Sequence, residues 1–93
     1  MKFEWDERKD KINQEKHGIS FETAAYVFLD EHYIEMFDFE HSTLDEERYI
    51  AIGRVGKVLF VVFTERKERI RLISARLATE TERRLYDDQD IHY

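Results

Sequence analysis

RYIAIGRVGKVLFVVFT, residues 48–64, is the stretch whose reading decides the fold. Arg48–Val55 and Val58–Thr64 are rich in β-branched and aromatic residues, which suits strands. Gly56-Lys57 between them places glycine first in a two-residue turn, the pattern of a type II′ hairpin. That reading sets Val55 opposite Val58, Ile52 opposite Val61, Ile50 opposite Phe63 and Gly53 opposite Phe60. Apolar side chains then line both faces of the ribbon. Two strands apolar on both faces belong inside a sheet that is covered on each side. Helices supply one cover, and a partner chain is a candidate for more.

Working outward, Glu65–Glu68 reads as a charged turn and Arg69–Ser74 as a further strand. Thr79 and Glu82 form a T-x-x-E capping box ahead of a helix, whose narrow stripe of Ala78, Thr81 and Leu85 runs to about Asp87. The tail from Asp88 to Tyr93 reads as loosely held. Toward the N-terminus, Glu40–Glu47 is a polar loop and Tyr33–Phe39 alternates with the period of a strand. Ser20 caps a helix in which Phe21, Ala24, Ala25, Phe28 and Leu29 recur at helical spacing. Asp6 caps an earlier helix that runs to Lys16, and Gly18 suits the left-handed position after its end. Lys2–Trp5 alternates as a short strand. The expected architecture is a single α+β domain over residues 1–93: a short N-terminal strand, two helices, an antiparallel sheet of about four strands and a C-terminal helix.

Of the 93 residues, 42% are apolar, and seven Phe, five Tyr and one Trp argue for a packed core rather than disorder. Cysteine is absent, so there is neither a disulfide framework nor a thiolate metal site. No apolar run is long enough to cross a bilayer and MKFEWDERKD holds no apolar signal segment, so a cytoplasmic protein without a membrane partner is expected. The net charge of −6 speaks against nucleic-acid binding. Its distribution does not: residues 1–53 carry −8, residues 54–84 carry +5 and residues 85–93 carry −3. Charge at contact range is what a phosphate feels.

The basic block is densest in ERKERIRLISAR, residues 65–76, which holds Arg66, Lys67, Arg69, Arg71 and Arg76. Guanidinium is planar, permanently charged and bidentate toward phosphate. Alternation points Arg69 and Arg71 to one strand face, with Arg66 at a strand end and Arg76 just past one. The same arginines could instead solubilise an exposed strand, paired with Glu65, Glu68 or Glu80. Arg83, Arg84 and Tyr86 follow on the C-terminal helix, where Tyr86 could exchange a proton, stack on a base or simply pack on the sheet. His17 and His41 are open as acid–base groups, or as solvated surface histidines. None of the four histidines has metal-site spacing, so neither a metal nor another cofactor is expected. Three glycines allow no phosphate-cradling loop, and no G-x-S-x-G elbow is present.

Further matches are ordered along most of the chain. Phe3, Trp5, Asp6, Lys9, Asn13, Lys16, His17, Gly18, Ser20, Phe21, Ala24, Val27 and Phe28 fit F-x-W-D-x-x-K, then N, then K-H-G-[IV]-S-F-x-x-A and V-F. DEERYIAIG (Asp45–Gly53) fits E-x-R-x-x-x-I-G. FTERKERIRLISARLATETERRLY (Phe63–Tyr86) fits T-x-R, R-x-I-S-A-R and E-R-x-x-Y. In these motifs residues 3–86 resemble the BrnT family of toxins from bacterial type II toxin–antitoxin systems. The acidic loop Glu40–Glu47 and the aspartate-rich tail are less typical of it.

The resemblance implies a RelE-like fold and a metal-independent endoribonuclease that arrests growth. It also implies neutralisation by a cognate ribbon–helix–helix antitoxin, through which DNA is contacted only indirectly. Catalytic roles carry over to Arg66 and Arg76, with Lys16, His17, Arg83 and Tyr86 behind them; Lys67, Arg69, Arg71, Arg83 and Arg84 become RNA-binding residues. On this view Arg66 and Arg76 gather at the rim of the sheet and grip one scissile phosphodiester. The alternative is a non-catalytic module that partners a small DNA-binding regulator, with the acidic half, Glu46 and Glu47 included, meeting a basic surface.

Overall fold

The computed structural model describes residues 1–89; residues 90–93, the last part of the expected loose tail with His92, lie outside the described residues. Along the chain run β1 (Lys2–Glu4), α1 (Glu7–His17), α2 (Phe21–Ala25), a 3-10 turn (Tyr26–Leu29), β2 (Ile34–Phe37), β3 (Tyr49–Val55), β4 (Lys57–Arg66), β5 (Arg69–Leu77) and α3 (Glu80–Asp88). The architecture is α+β, as expected. The sheet, however, has five strands in the order β1-β5-β4-β3-β2, and it is mixed, because β1 pairs with β5 in parallel. Phe3 explains why so short a strand holds its place: its ring lies 5.4 Å from that of Phe28, within the main apolar cluster.

The first hairpin forms in a register one residue away from the expected one. Val55 pairs with Lys57, Gly53 with Leu59, Ile52 with Phe60, Ala51 with Val61 and Ile50 with Val62, around a tip at Gly56 with φ 71°. Burial decides the register, since a slip regroups every side chain. The observed pairing gathers Tyr49, Ala51, Leu59, Val61 and Phe63 under α1, α2 and the 3-10 turn. It gathers Ile50, Ile52, Val58 and Phe60 on the face that α3 partly covers through Tyr86. Gly53 sits where the 3-10 turn comes closest: a Cβ there would lie 2.7 Å from Val27 Cγ1 and 3.0 Å from Tyr33 Cβ.

The caps form as read: Asp6 and Ser20 at N-termini, Gly18 at φ 69°, and the Thr79–Glu82 box. The second helix is shorter than its apolar spacing predicts. After Ala25 the chain tightens to three residues per turn, which buries Val27 and Phe28 and leaves Leu29 71% exposed. β2 is shorter than expected, whereas β4 and β5 are longer, so the charged turn shrinks to Lys67-Glu68. Both residues have positive φ, 48° and 65°, the geometry of a type I′ turn that favours Asn-Gly. Because β1 pairs only with Arg69–Arg71, the rest of β5 lacks a neighbouring strand on that side. The buried side chain of Asn13 takes its place. Its Nδ2 donates to the Ala75 and Ile19 carbonyls at 2.8 Å each, and its Oδ1 accepts from the Ala75 amide at 3.1 Å.

These contacts have measurable consequences. Gly53→Ala forces Val27 to move and is expected to lower unfolding free energy by about 1–3 kcal/mol in urea titrations. Lys67→Asn with Glu68→Gly relieves two left-handed side-chain positions and is expected to raise it by about 1 kcal/mol. Wild-type stability in Gly53→Ala would contradict the close-approach argument.

Candidate functional site

The arginine-rich strand contains an irregularity that determines where its charges point. Phe63 pairs with Leu72, yet the preceding β4 residue, Val62, pairs with Ser74, so Ile73 is an extra residue in β5. Unbroken alternation would have set Arg76 on the opposite face from Arg69 and Arg71. The bulge reverses the parity, and Arg66, Arg69, Arg71 and Arg76 share the face on which α3 lies. β5 also continues to Leu77, so Arg76 lies within a strand rather than just past one.

Sharing a face does not bring these arginines together. Arg76 pairs with Phe60 and Arg69 with Arg66, and Arg66 lies six residues along β4 from Phe60, about 20 Å of strand. The expected grip of Arg66 and Arg76 on one phosphodiester is therefore not what the sheet provides. Arg66, Lys67 and Arg69 stand at one end, where Arg66 Nη2 meets Glu46 Oε2 at 3.0 Å; Glu46 also receives Arg48 Nε at 2.9 Å. That carboxylate, expected to face a partner, serves its own chain. Arg71 is held at 2.9 Å by Glu4, and Arg84 at 2.8 Å by Glu80.

The opposite end is richer. There the β3–β4 tip, the end of β5 and α3 meet on the Arg76 face, while the end of α1 lies on the opposite face of the same hairpin tip. The Arg76 guanidinium lies 3.9 Å from the centroid of the Phe60 ring and donates to both Glu82 oxygens at 2.7 and 3.0 Å. Lys57, Leu77 and Arg83 line one depression beside it, and His17 lines a second that shares Lys57 and Leu77. Lys16 and His17 line a third with Ser74. Tyr86 is buried and its hydroxyl donates to Asp30, so it anchors α3 to the end of the 3-10 turn. Among the described residues, no three His, Asp or Glu side chains gather as a metal site, and no helix is long and apolar enough to cross a membrane.

Residues 5–82 match the model of a family described as the ribonuclease toxin, BrnT, of type II toxin–antitoxin systems. The chain belongs to the BrnT family. This BrnT chain is also similar to the 1.1 Å crystal structure of the Brucella abortus ribonuclease toxin BrnT, at 30% identity and a TM-score of 0.63. The match covers 86% of this chain and 99% of that one. Among curated proteins no relative matches.

In this BrnT chain the acidic partners are tuned by their surroundings. Burial alone would raise the Glu82 carboxyl, but the Arg76 guanidinium and the Thr79 amide outweigh it and hold Glu82 below its ordinary 4.5. Asp30 behaves alike: burial opposes ionisation, yet bonds from Tyr86 and from the Arg54 and His32 amides hold it below 3.8. Burial, and then the bond to Asp30, push the Tyr86 phenol up, so it is a poor source of phenolate at neutral pH. Glu82, Arg54 and Lys57 are the site residues that sequence reasoning missed in this role. The capping box had already marked Glu82, though only as a helix signal.

Both carboxyls have folded pKa values below their unfolded ones. Their contribution to stability is complete above about pH 4.5 and is lost as pH falls through the lowered folded values. The melting temperature is therefore expected to drop as pH falls below about 4.5, and Glu82→Gln to flatten that drop. An identical pH profile for the variant would contradict the assignment.

Proposed function

We propose that this BrnT chain is a metal-independent endoribonuclease toxin, built on a RelE-like scaffold and acting in the cytoplasm. A cognate ribbon–helix–helix antitoxin holds it in check and provides its only, indirect, link to DNA. The observation that carries the catalytic reading is the Arg76 guanidinium, fixed by Glu82 and the Phe60 ring on an accessible sheet face.

RNA supplies its own nucleophile. The 2′-hydroxyl attacks the adjacent phosphorus, the bond to the 5′-oxygen breaks, and a cyclic phosphate remains on the upstream nucleotide. The protein must hold that in-line geometry and offset the negative charge that accumulates on the phosphoryl oxygens. A guanidinium that Glu82 holds in place can do so without a metal, through the N–H groups that Glu82 and the Leu77 carbonyl leave unused. Arginine itself moves no proton, because its pKa is too high. We assign proton exchange to His17, which lies around the hairpin tip from Arg76 in a depression that shares Lys57 and Leu77, with Lys16 adding positive charge next to it. Arg83 and Arg84 add charge along α3. Tyr86 serves by position, and Arg66, Lys67, Arg69 and Arg71 extend the RNA path toward the far end of the sheet.

Arg76→Ala is expected to cut the rate of RNA cleavage by about two to three orders of magnitude while the circular dichroism spectrum stays unchanged. Wild-type cleavage is expected to persist in excess chelator. Equal rates for purified wild-type and Arg76→Ala protein would sink the assignment. Growth arrest on induction without the neighbouring gene, relieved by its co-expression, tests the toxin–antitoxin relationship.

A further inference from the structure

The β3–β4 tip and α3 enclose an open cleft of about 500 Å³ that carries more charge than the cleavage chemistry uses. Arg54, Lys57 and Arg83 contribute three cations and Asp87 one carboxylate, over an apolar floor that includes Val58 and Ala78. The charges here differ from those elsewhere on this face. Arg66, Arg71 and Arg76 each meet a carboxylate at 2.7–3.0 Å. Arg54 approaches Asp87 only to 3.9 Å. No carboxylate among the described residues lies within ion-pairing distance of Lys57 or Arg83. Three cations facing one loosely held anion leave room for an anionic ligand.

We propose that this cleft is a phosphate subsite, which holds the RNA backbone next to the phosphodiester that Arg76 engages. The Ala78 amide donates to the Val58 carbonyl at 3.0 Å, so the β5 chain runs on past Leu77 into the cleft floor. Arg76 precedes Ala78 by two residues, about 7 Å of extended chain, a separation comparable to one nucleotide step. Arg54 lies with its guanidinium carbon 5.7 Å from the centroid of the Tyr86 ring, which limits its freedom. Lys57 lines both this cleft and the depression beside His17, so it links the two sides of the hairpin tip. The subsite rests on the ribonuclease reading and adds the residues that retain substrate one phosphate from the cut.

The test measures binding of a short single-stranded 2′-O-methyl RNA, which cannot supply the nucleophile, across a salt series. Lys57→Gln with Arg83→Gln is expected to weaken binding about tenfold and to lower the slope of log affinity against log salt by about 1.4, the loss of two phosphate contacts. Asp87→Asn is expected to tighten binding. Arg8→Gln with Lys11→Gln removes the same charge from exposed positions on α1, across the sheet, and is expected to change affinity less than twofold. Wild-type affinity and slope in the cleft variant, or a loss no greater than in the α1 variant, overturns the subsite. Wild-type protein that cuts RNA while the cleft variant binds normally condemns the subsite alone. Wild-type protein that neither binds this RNA nor cuts RNA removes the ribonuclease reading and the subsite with it.

Discussion

Asn13 grips both backbone groups of Ala75, and much of the molecule depends on that grip. One carboxamide gives the unpaired edge of β5 the donor and acceptor that a sixth strand would have offered, and it also joins Ile19. Leaving such buried groups unsatisfied costs about 1–3 kcal/mol each, so the pairing strongly favours one placement of α1 on the sheet. It also holds Ala75 on the helix-covered face, where it is fully buried. Parity then sends the next residue, Arg76, to the other face. The extra residue Ile73 reconciles this placement with the alternation of Arg69 and Arg71.

The electrostatics follow from that geometry. Arg76 emerges opposite the first turn of α3, where Glu82 is already required by its own helix. The Glu82 carboxylate accepts from the Thr79 amide in the capping box and from the Arg76 guanidinium. The bond that starts the helix therefore also orients the cation. Along the same face the other strand arginines find carboxylates on β1 and on the loop before β3. The surface thus alternates between charges held internally and charges open to solvent, and net charge alone would not reveal that division.

Much of the local structure was legible in the residues. Asp6, Gly18, Ser20 and the Thr79–Glu82 box act within a turn of where they stand, so their neighbours in sequence suffice to define them. The strands were visible for a similar reason, because period-two alternation is a local pattern. The first hairpin's register was not. Gly56-Lys57 supports a two-residue turn, and only the burial of Leu59, Val61 and Phe63 together with Ala51 under the helices shows why the pairing shifts by one. The family resemblance was also legible, and the matched region agrees with it through residue 82.

What the sequence determined by itself was the α+β class, the caps, the basic block and membership of the BrnT family, all of which are encoded in short-range pattern. Tertiary structure alone decided which charges meet. RIRLISAR reads as uninterrupted alternation, and nothing within it announces that Ile73 is surplus. The bulge lies next to Ala75, whose backbone Asn13 of α1 holds from far away in the chain. Arg54, Lys57 and Arg83 likewise lie on separate elements and share a cleft only because α3 folds back over the hairpin. Side-chain direction depends on register, and register is settled by burial across the whole sheet rather than by any one strand.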